Sequence, residues 1–332
     1  MKTLSTKEII LKKLEENRDK FISGEDLATE LNLSRTAIWK AVNSLKDEGF
    51  IINSSTNKGY KLDDSCDKIS KYGVLFNLRD ELKNSDIIVY DSIDSTNTEA
   101  KRLLYSENLK NFTILISDEQ TMGRGRTGKS FASPKGTGIY ISIVLFPDER
   151  FNFNAFDLIT VKAAVAVVNA IKNKTNKNPE IKWVNDIFLN HKKICGILSE
   201  ADADFESHEI KSVIVGIGLN FKTKDKDFGK DLKAIAGSLL KDKESSLLRN
   251  EMAAEIINEF YDSYYNLSDE EVLKIYKDNS LLLGRQVSFE KNGVKYEAKA
   301  IDINDKGNLV VELENKEIMT LLSGEVSVKG EF

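Results

Sequence analysis

The stretch "TMGRGRTGKS", Thr121 to Ser130, restricts the possible folds of this chain more than any other. Gly123, Gly125 and Gly128 fit G-x-G-x-x-G, while Gly123, Gly128, Lys129 and Ser130 fit G-x-x-x-x-G-K-S. Both patterns bind phosphate only when a strand leads in and a helix starts on the glycines, so that the helix N-terminus faces the anion. "FTILISDE" supplies the strand. After Ser130 the chain reads "FASPKGTGIYISIVLF", where Pro134, Gly136 and Gly138 lead into a β-rich run and no helix is predicted. This argues against both a Walker-type loop and a dinucleotide-binding fold. What remains is the chemistry of the residues. Arg124, Arg126, Lys129 and Lys135 occur between Thr121 and Gly138 without an acid. Arginine forks bind carboxylates and phosphates, and glycine lets backbone approach a ligand, so the segment reads as a loop that orders over an anion. A solvated basic hairpin is the plain alternative.

A chain of 332 residues is long for one domain, so two or three are expected. Hydrophobic residues at 41% and charged residues at 30% fit ordinary buried cores, and a net charge of −5 argues against wholesale coating of nucleic acid. Cys66, Cys195, His191 and His208 are far from any ligand spacing, which argues against a zinc site. No apolar run reaches membrane-spanning length and the first residues lack a signal-peptide core, so the expected location is cytoplasmic.

Met1 to Leu62 reads as three helices and a hairpin, the order of a winged helix-turn-helix. Ser5 with Glu8 predicts a capping box, Ser23 and Ser34 predict two further helix starts, and Ile38, Val42 and Leu45 point inward. Arg35, Thr36, Trp39, Lys40 and Asn43 then face outward, with Lys58 at the hairpin tip. These types suit phosphates and base edges. With 11 Lys/Arg against 9 Asp/Glu, the segment is only mildly basic, and a helical interaction domain that touches no DNA is the alternative. Residues 63–71 read as a linker. Residues 72–283 alternate strands and helices around one mixed sheet, and 284–332 give short strands expected to form a small β-barrel.

Three further motifs accompany the glycine loop. "DSIDSTNTEAK" places Ser95, Thr96 and Asn97 at a strand end before a helix, where they cap the helix or read the polar edge of a small ligand. "KWVNDIFLNHKKICGILSE" clusters Lys182, Asn185 and Asp186 near a turn, with Lys193 and Gly196 on the next strand. Asp186 is a candidate carboxylate for nucleotide-bound magnesium. "GIGLN" spans Gly216 to Asn220.

In this order, "SGEDLATELNLSRTAIWKAVNSLKDEGF…KGYKL", "DSTN", "GRGRTG", "KWVND", "KKICGILSE", "GIGLNF" and "SGEVSV" strongly resemble the biotin protein ligases, specifically the bifunctional bacterial type that doubles as the biotin operon repressor. The resemblance spans nearly the whole chain. It implies an α+β multidomain protein: a winged helix-turn-helix over 1–62, a ligase domain over 72–283 and an SH3-like β-barrel over 284–332. It also implies the reaction. Biotin and ATP give biotinoyl-adenylate and pyrophosphate, and the acyl group passes to a lysine of a carboxylase biotin carrier domain.

Carried over by motif, Ser95, Thr96, Asn97, Gln120, Arg124, Gly125, Arg126, Lys193, Gly196 and Gly216 would contact biotin. Arg126, Phe131, Lys182, Asn185 and Asn220 would contact ATP or the adenylate. Arg124, Lys193, Lys182 and Asp186 would carry the chemistry, with Asp186 near Mg2+. Operator DNA and a homodimer promoted by the adenylate are the implied repressor partners. Two positions depart from the family pattern: Val184 stands where proline is usual, and Lys329 where arginine is frequent. The alternatives are a transcription factor that senses a small acid without adenylating it, and a lipoate or octanoate ligase.

Overall fold

The computed structural model describes residues 4–106, 108–147, 155–203, 210–229, 232–241 and 245–328. They fall into two compact units, residues 1–84 with 246–254, and residues 85–245 with 255–332.

The first unit begins with α1 (Thr6–Glu16), α2 (Gly24–Glu30) and α3 (Arg35–Asp47). Each start is capped as the serines predict. Ser5 Oγ accepts from Glu8 N while Glu8 returns to Ser5 N, Ser23 Oγ accepts from Glu25 and Asp26, and Ser34 Oγ accepts from Ala37 N. Ile38, Val42 and Leu45, spaced along one face of α3, are buried against Ile10, Leu14 and Leu27. The antiparallel hairpin of β1 (Ile52–Ser55) and β2 (Gly59–Leu62) forms the wing, and Ile22 bridges Tyr60 beside it. A short α4 (Lys71–Asn77) follows, capped by Ser70, whose N–H donates to Asn250 Oδ1. This helix was not expected from the sequence.

The second unit is built on β3 (Ile87–Tyr90), α5 (Thr96–Ser106), β4 (Thr113–Ser117), β5 (Ile139–Leu145), α6 (Ala155–Lys174), β6 (Glu180–Lys182), β7 (Asp186–Leu189), β8 (Lys192–Ala203) and β9 (Ile210–Leu219). The strands make one mixed sheet in the order β3-β4-β5-β9-β8-β7-β6, parallel only between β3 and β4. Leu115, Val144 and Ile214 pack under Ala100 and Leu103 of α5. Side chains alternate across a strand, so Ile114, Ile143 and Val215 serve the other face, which explains β4 and β5 being buried throughout. On that face Thr160 of α6 donates to Ser199 of β8.

Next come α7 (Arg249–Tyr261), whose first residues belong to the first unit, and α8 (Asp269–Asp278), which packs on α6. The chain finishes with β10 (Gln286–Lys291), β11 (Val294–Ile303), β12 (Leu309–Leu313), β13 (Ile318–Leu321) and β14 (Val326–Val328), an antiparallel sheet in the order β13-β12-β11-β10-β14. The strands of the expected small β-domain are thus present. Lys329 lies outside the described residues. No helix among the described residues is long and apolar enough to cross a membrane.

Candidate functional site

The glycine loop folds as a hairpin-like excursion between β4 and β5. Phe131 N donates to Gly123 O at 2.8 Å and Gly125 N to Lys129 O at 2.7 Å. The next regular strand after Ser130 is β5, so the helix that both nucleotide patterns demand is absent from this part of the described chain. The loop borders a cavity of about 730 Å3 in the second unit. Every residue assigned from the sequence to biotin, ATP or catalysis lines it: Ser95, Thr96 and Asn97; Gln120, Arg124, Gly125, Arg126 and Phe131; Lys182, Asn185 and Asp186; Lys193 and Gly196; Gly216 and Asn220.

One wall is a connected polar network. Thr96 donates from both its backbone N–H and its hydroxyl to Gln120 Oε1, at 2.9 and 3.1 Å, and Gln120 Nε2 donates to Ser133 Oγ at 2.8 Å. The buried Ser142 hydroxyl of β5 lies 2.7 Å from Thr96 Oγ1 and 2.6 Å from Asn97 Oδ1. Asn97 Nδ2 donates to Leu198 O at 3.2 Å and to Glu200 Oε2 at 2.9 Å. Ser142 and Leu198 flank Gly216 in register, so the Asn97 amide lies across three adjacent strands. A Cβ at residue 216 would collide with Asn97 Oδ1, and one at residue 218 with the Phe131 ring. The two glycines therefore make room for these side chains.

A second group of lining residues carries charge. Lys193 Nζ lies 2.7 Å from Asp186 Oδ1. Burial holds the Lys182 ammonium below the usual lysine range, against the pull of Asp186 and Glu325. Arg126 donates to Asn185 Oδ1 at 3.1 Å, and Asn185 Nδ2 to Ile197 O at 2.8 Å. Asn220 Nδ2 donates to Gly237 O, while its Oδ1 is buried with no hydrogen-bond partner among the described residues. The turn through Val184 is held from both sides: Tyr276 of α8 donates to Val184 O at 2.9 Å and Trp183 Nε1 to Gly307 O at 2.9 Å. Lys129 of the loop pairs with Glu325, ahead of β14. Among the described residues no group of three or more His, Cys, Asp or Glu is placed to hold a metal ion.

Sequence reasoning missed Ser142, Glu200, Tyr276 and Glu325. A serine inside the apolar run "IYISIVL" was a signal for Ser142. The other three have meaning only through partners distant in sequence.

In the first unit, Arg35, Thr36, Trp39 and Lys40 are exposed on α3, and Asn43 is half-buried. Trp39 is 56% exposed, a large apolar surface with nothing over it among the described residues. Arg35 pairs with Glu25 at 2.5 Å. Lys58, at the exposed wing tip, lies 5.9 Å from the Phe21 ring centroid.

Comparison with known proteins agrees with this division. Family models for an HTH domain, the biotin/lipoate A/B protein ligase family and a biotin protein ligase C-terminal domain match residues 6–61, 89–220 and 282–329. The chain is 32% identical over 313 residues to the bifunctional ligase/repressor BirA of Bacillus subtilis, covering 93% of this chain and 94% of the relative. It is 28% identical over 202 residues to that of Escherichia coli, covering 60% and 59%. The biotin protein ligase of Aquifex aeolicus in complex with biotin and ATP superposes with a TM-score of 0.61 at 27% identity, covering 74% of this chain and 98% of that one. By its domain content and its near full-length match, this chain belongs to the family of bifunctional biotin ligase/repressors.

Proposed function

We propose that this chain activates biotin with ATP, transfers it to a carrier lysine, and represses transcription through its helix-turn-helix. The observation that carries the reading is one cavity that gathers residues from four separated motifs, with a hydrogen-bonded polar cluster and a cluster of charged side chains. Its volume suits a cofactor-sized ligand.

In the first step a biotin carboxylate oxygen attacks the α-phosphorus of ATP and the bond to the bridging pyrophosphate oxygen breaks. In the second, the carrier amine attacks the acyl carbon, AMP leaves and the amine loses a proton. Substrate groups supply both nucleophiles. Cys195, next in the chain to the cavity-lining Gly196, is buried with its thiol pushed far up by burial, and nothing in this chemistry needs it. The protein's task is to bring two anions together and neutralise them. Arg124 and Arg126 lie on the loop, Lys182 on β6 and Lys193 on β8. Ser95, Thr96, Asn97 and Gln120 present donors and acceptors to the bicyclic ring, and Phe131 with Asn185 and Asn220 flanks the nucleotide.

Magnesium belongs to this reading as the partner of the nucleotide. Such ions keep one or two protein carboxylates and take their other oxygens from phosphate and water. Asp186 fits that need, facing the cavity beside Lys193 and Lys182. Mg2+ would there neutralise phosphate charge.

The repressor arm uses Arg35, Thr36, Trp39, Lys40 and Asn43 against operator DNA, with Lys58 on backbone phosphate. A two-fold symmetric operator requires a homodimer, and adenylate binding would favour it. A cytoplasmic location follows from ATP, carrier domain and operator being met in one compartment.

The test is operator protection by the purified protein. Protection that sharpens when biotin and MgATP are both present supports the gated repressor, and protection indifferent to them contradicts it. In parallel, a biotin carrier domain should gain biotin on one lysine, and a carrier with that lysine changed to arginine should gain none.

A further inference from the structure

Glu200 touches the cavity only through other residues. Its carboxylate, on β8 and 16% exposed, receives Asn97 Nδ2 at 2.9 Å and Lys101 Nζ at 2.7 Å, and Arg124 lies 3.2 Å away. Burial opposes its ionisation, but the hydrogen bonds from Lys101 and Asn97 and the charges of Lys101 and Arg124 outweigh it and hold the group ionised. An ionised carboxylate only accepts hydrogen bonds. Asn97 must therefore turn its amide nitrogen to Glu200 and Leu198 O, which leaves its carbonyl oxygen toward Ser142 and the cavity wall at Gly216. Gln120 is fixed in the same way from the other end, since Ser133 donates to Phe131 O and so accepts from Gln120 Nε2.

We infer that Glu200 is a positioning residue for ligand choice: together with Leu198 O it holds the Asn97 amide with its oxygen toward the cavity wall, and it anchors Arg124. A neutral glutamine at 200 can donate as well as accept. Asn97 then keeps Leu198 O but loses its charged acceptor, and Arg124 loses its charged anchor. Of the acids proposed above, a cyclic urea reads such an arrangement, with N–H groups beside a carbonyl. A dithiolane or a plain alkyl chain does not. The inference rests on the ligase reading, and the two fail differently in one experiment.

That experiment is pyrophosphate exchange with biotin, measured for the intact protein and three variants, with melting curves as a folding check. Wild type without exchange would defeat the ligase reading itself. Given an active wild type, Glu200→Gln should raise the biotin KM about tenfold and change kcat less than threefold, the worth of one well-placed hydrogen bond to a charged group. An unchanged KM overturns the inference. Lys101→Met changes the local charge but leaves Glu200 an acceptor, so its biotin KM should stay within twofold. A purely electrostatic role would instead move the KM of Lys101→Met and Glu200→Gln in opposite directions, and that result also overturns it. Glu200→Asp stays an acceptor, so its KM should remain within about threefold whether or not Glu200→Gln folds. A tenfold rise there would make the role one of size and defeat the inference.

Discussion

Two arginine–glutamate pairs invite comparison. Arg35 and Glu25 of the helix-turn-helix approach to 2.5 Å with side chains 71% and 69% exposed. Arg124 and Glu200 beside the cavity stand 3.2 Å apart, at 45% and 16% exposure. By distance the first is the stronger bond. By energy it is the weaker: water screens it and both chains are long and free, which leaves such pairs about 0–1 kcal/mol. Glu200 also holds Asn97 and Lys101, so its carboxylate is tied into a half-buried network where each partner limits the others. The exposed pair can open at little cost and offer its arginine to a phosphate. The network pair holds a wall in place.

The largest expected effects lie in the cavity. Lys193→Ala and Arg124→Ala should each slow adenylate formation about 100- to 1000-fold, as removal of a charge-stabilising donor does. Unchanged rates in both would remove these residues from the chemistry. On the other unit, Arg35→Ala should weaken operator binding by about tenfold at low salt and lower the salt slope by about 1, without moving the melting curve. A large loss of stability would show that the Arg35–Glu25 pair is structural after all.

Stability sharpens the contrast further. Glu200→Ala should cost about 1–2 kcal/mol in denaturant unfolding, because it strips a partner from Asn97, while Glu25→Ala should stay within about 0.5 kcal/mol. Equal costs would erase the distinction. The smallest effect is the pH dependence. Because Glu200 titrates below its ordinary range in the folded chain, its contribution is complete above that range and is lost as the pH falls through the depressed folded value. Wild type and Glu200→Gln should therefore differ most above the ordinary carboxylate range and converge only as the pH falls through the depressed folded value. A difference that persists unchanged into acid would mean that the charge of Glu200 contributes nothing.

Much of this architecture was legible in local chemistry. Capping serines marked α1, α2 and α3, and short apolar runs marked β3, β4, β5 and β9. The same signature was overlooked at α8, where Ser268 and Glu271 form a capping box like that of Ser5 and Glu8. The helix α4 is only seven residues long, too short for periodicity to reveal. The cavity residues were found because each motif carries its chemistry within a few positions. The residues that hold those motifs were not, because their partners are far away in the chain. Glu200 lies 103 residues from Asn97 and 76 from Arg124, and Tyr276 lies 92 from Val184. The sheet order, which sets β8 beside β9 under the start of α5, brings Glu200 to Asn97.

The most direct test of the whole reading is ATP–pyrophosphate exchange with biotin, lipoate and octanoate supplied separately. Exchange with biotin alone is the expected result, and it would tie the cavity to the ligase reaction. Exchange with none of the three would leave a sensor that binds an acid without activating it. Exchange with lipoate or octanoate as readily as with biotin would contradict the assignment of the polar wall to a cyclic urea.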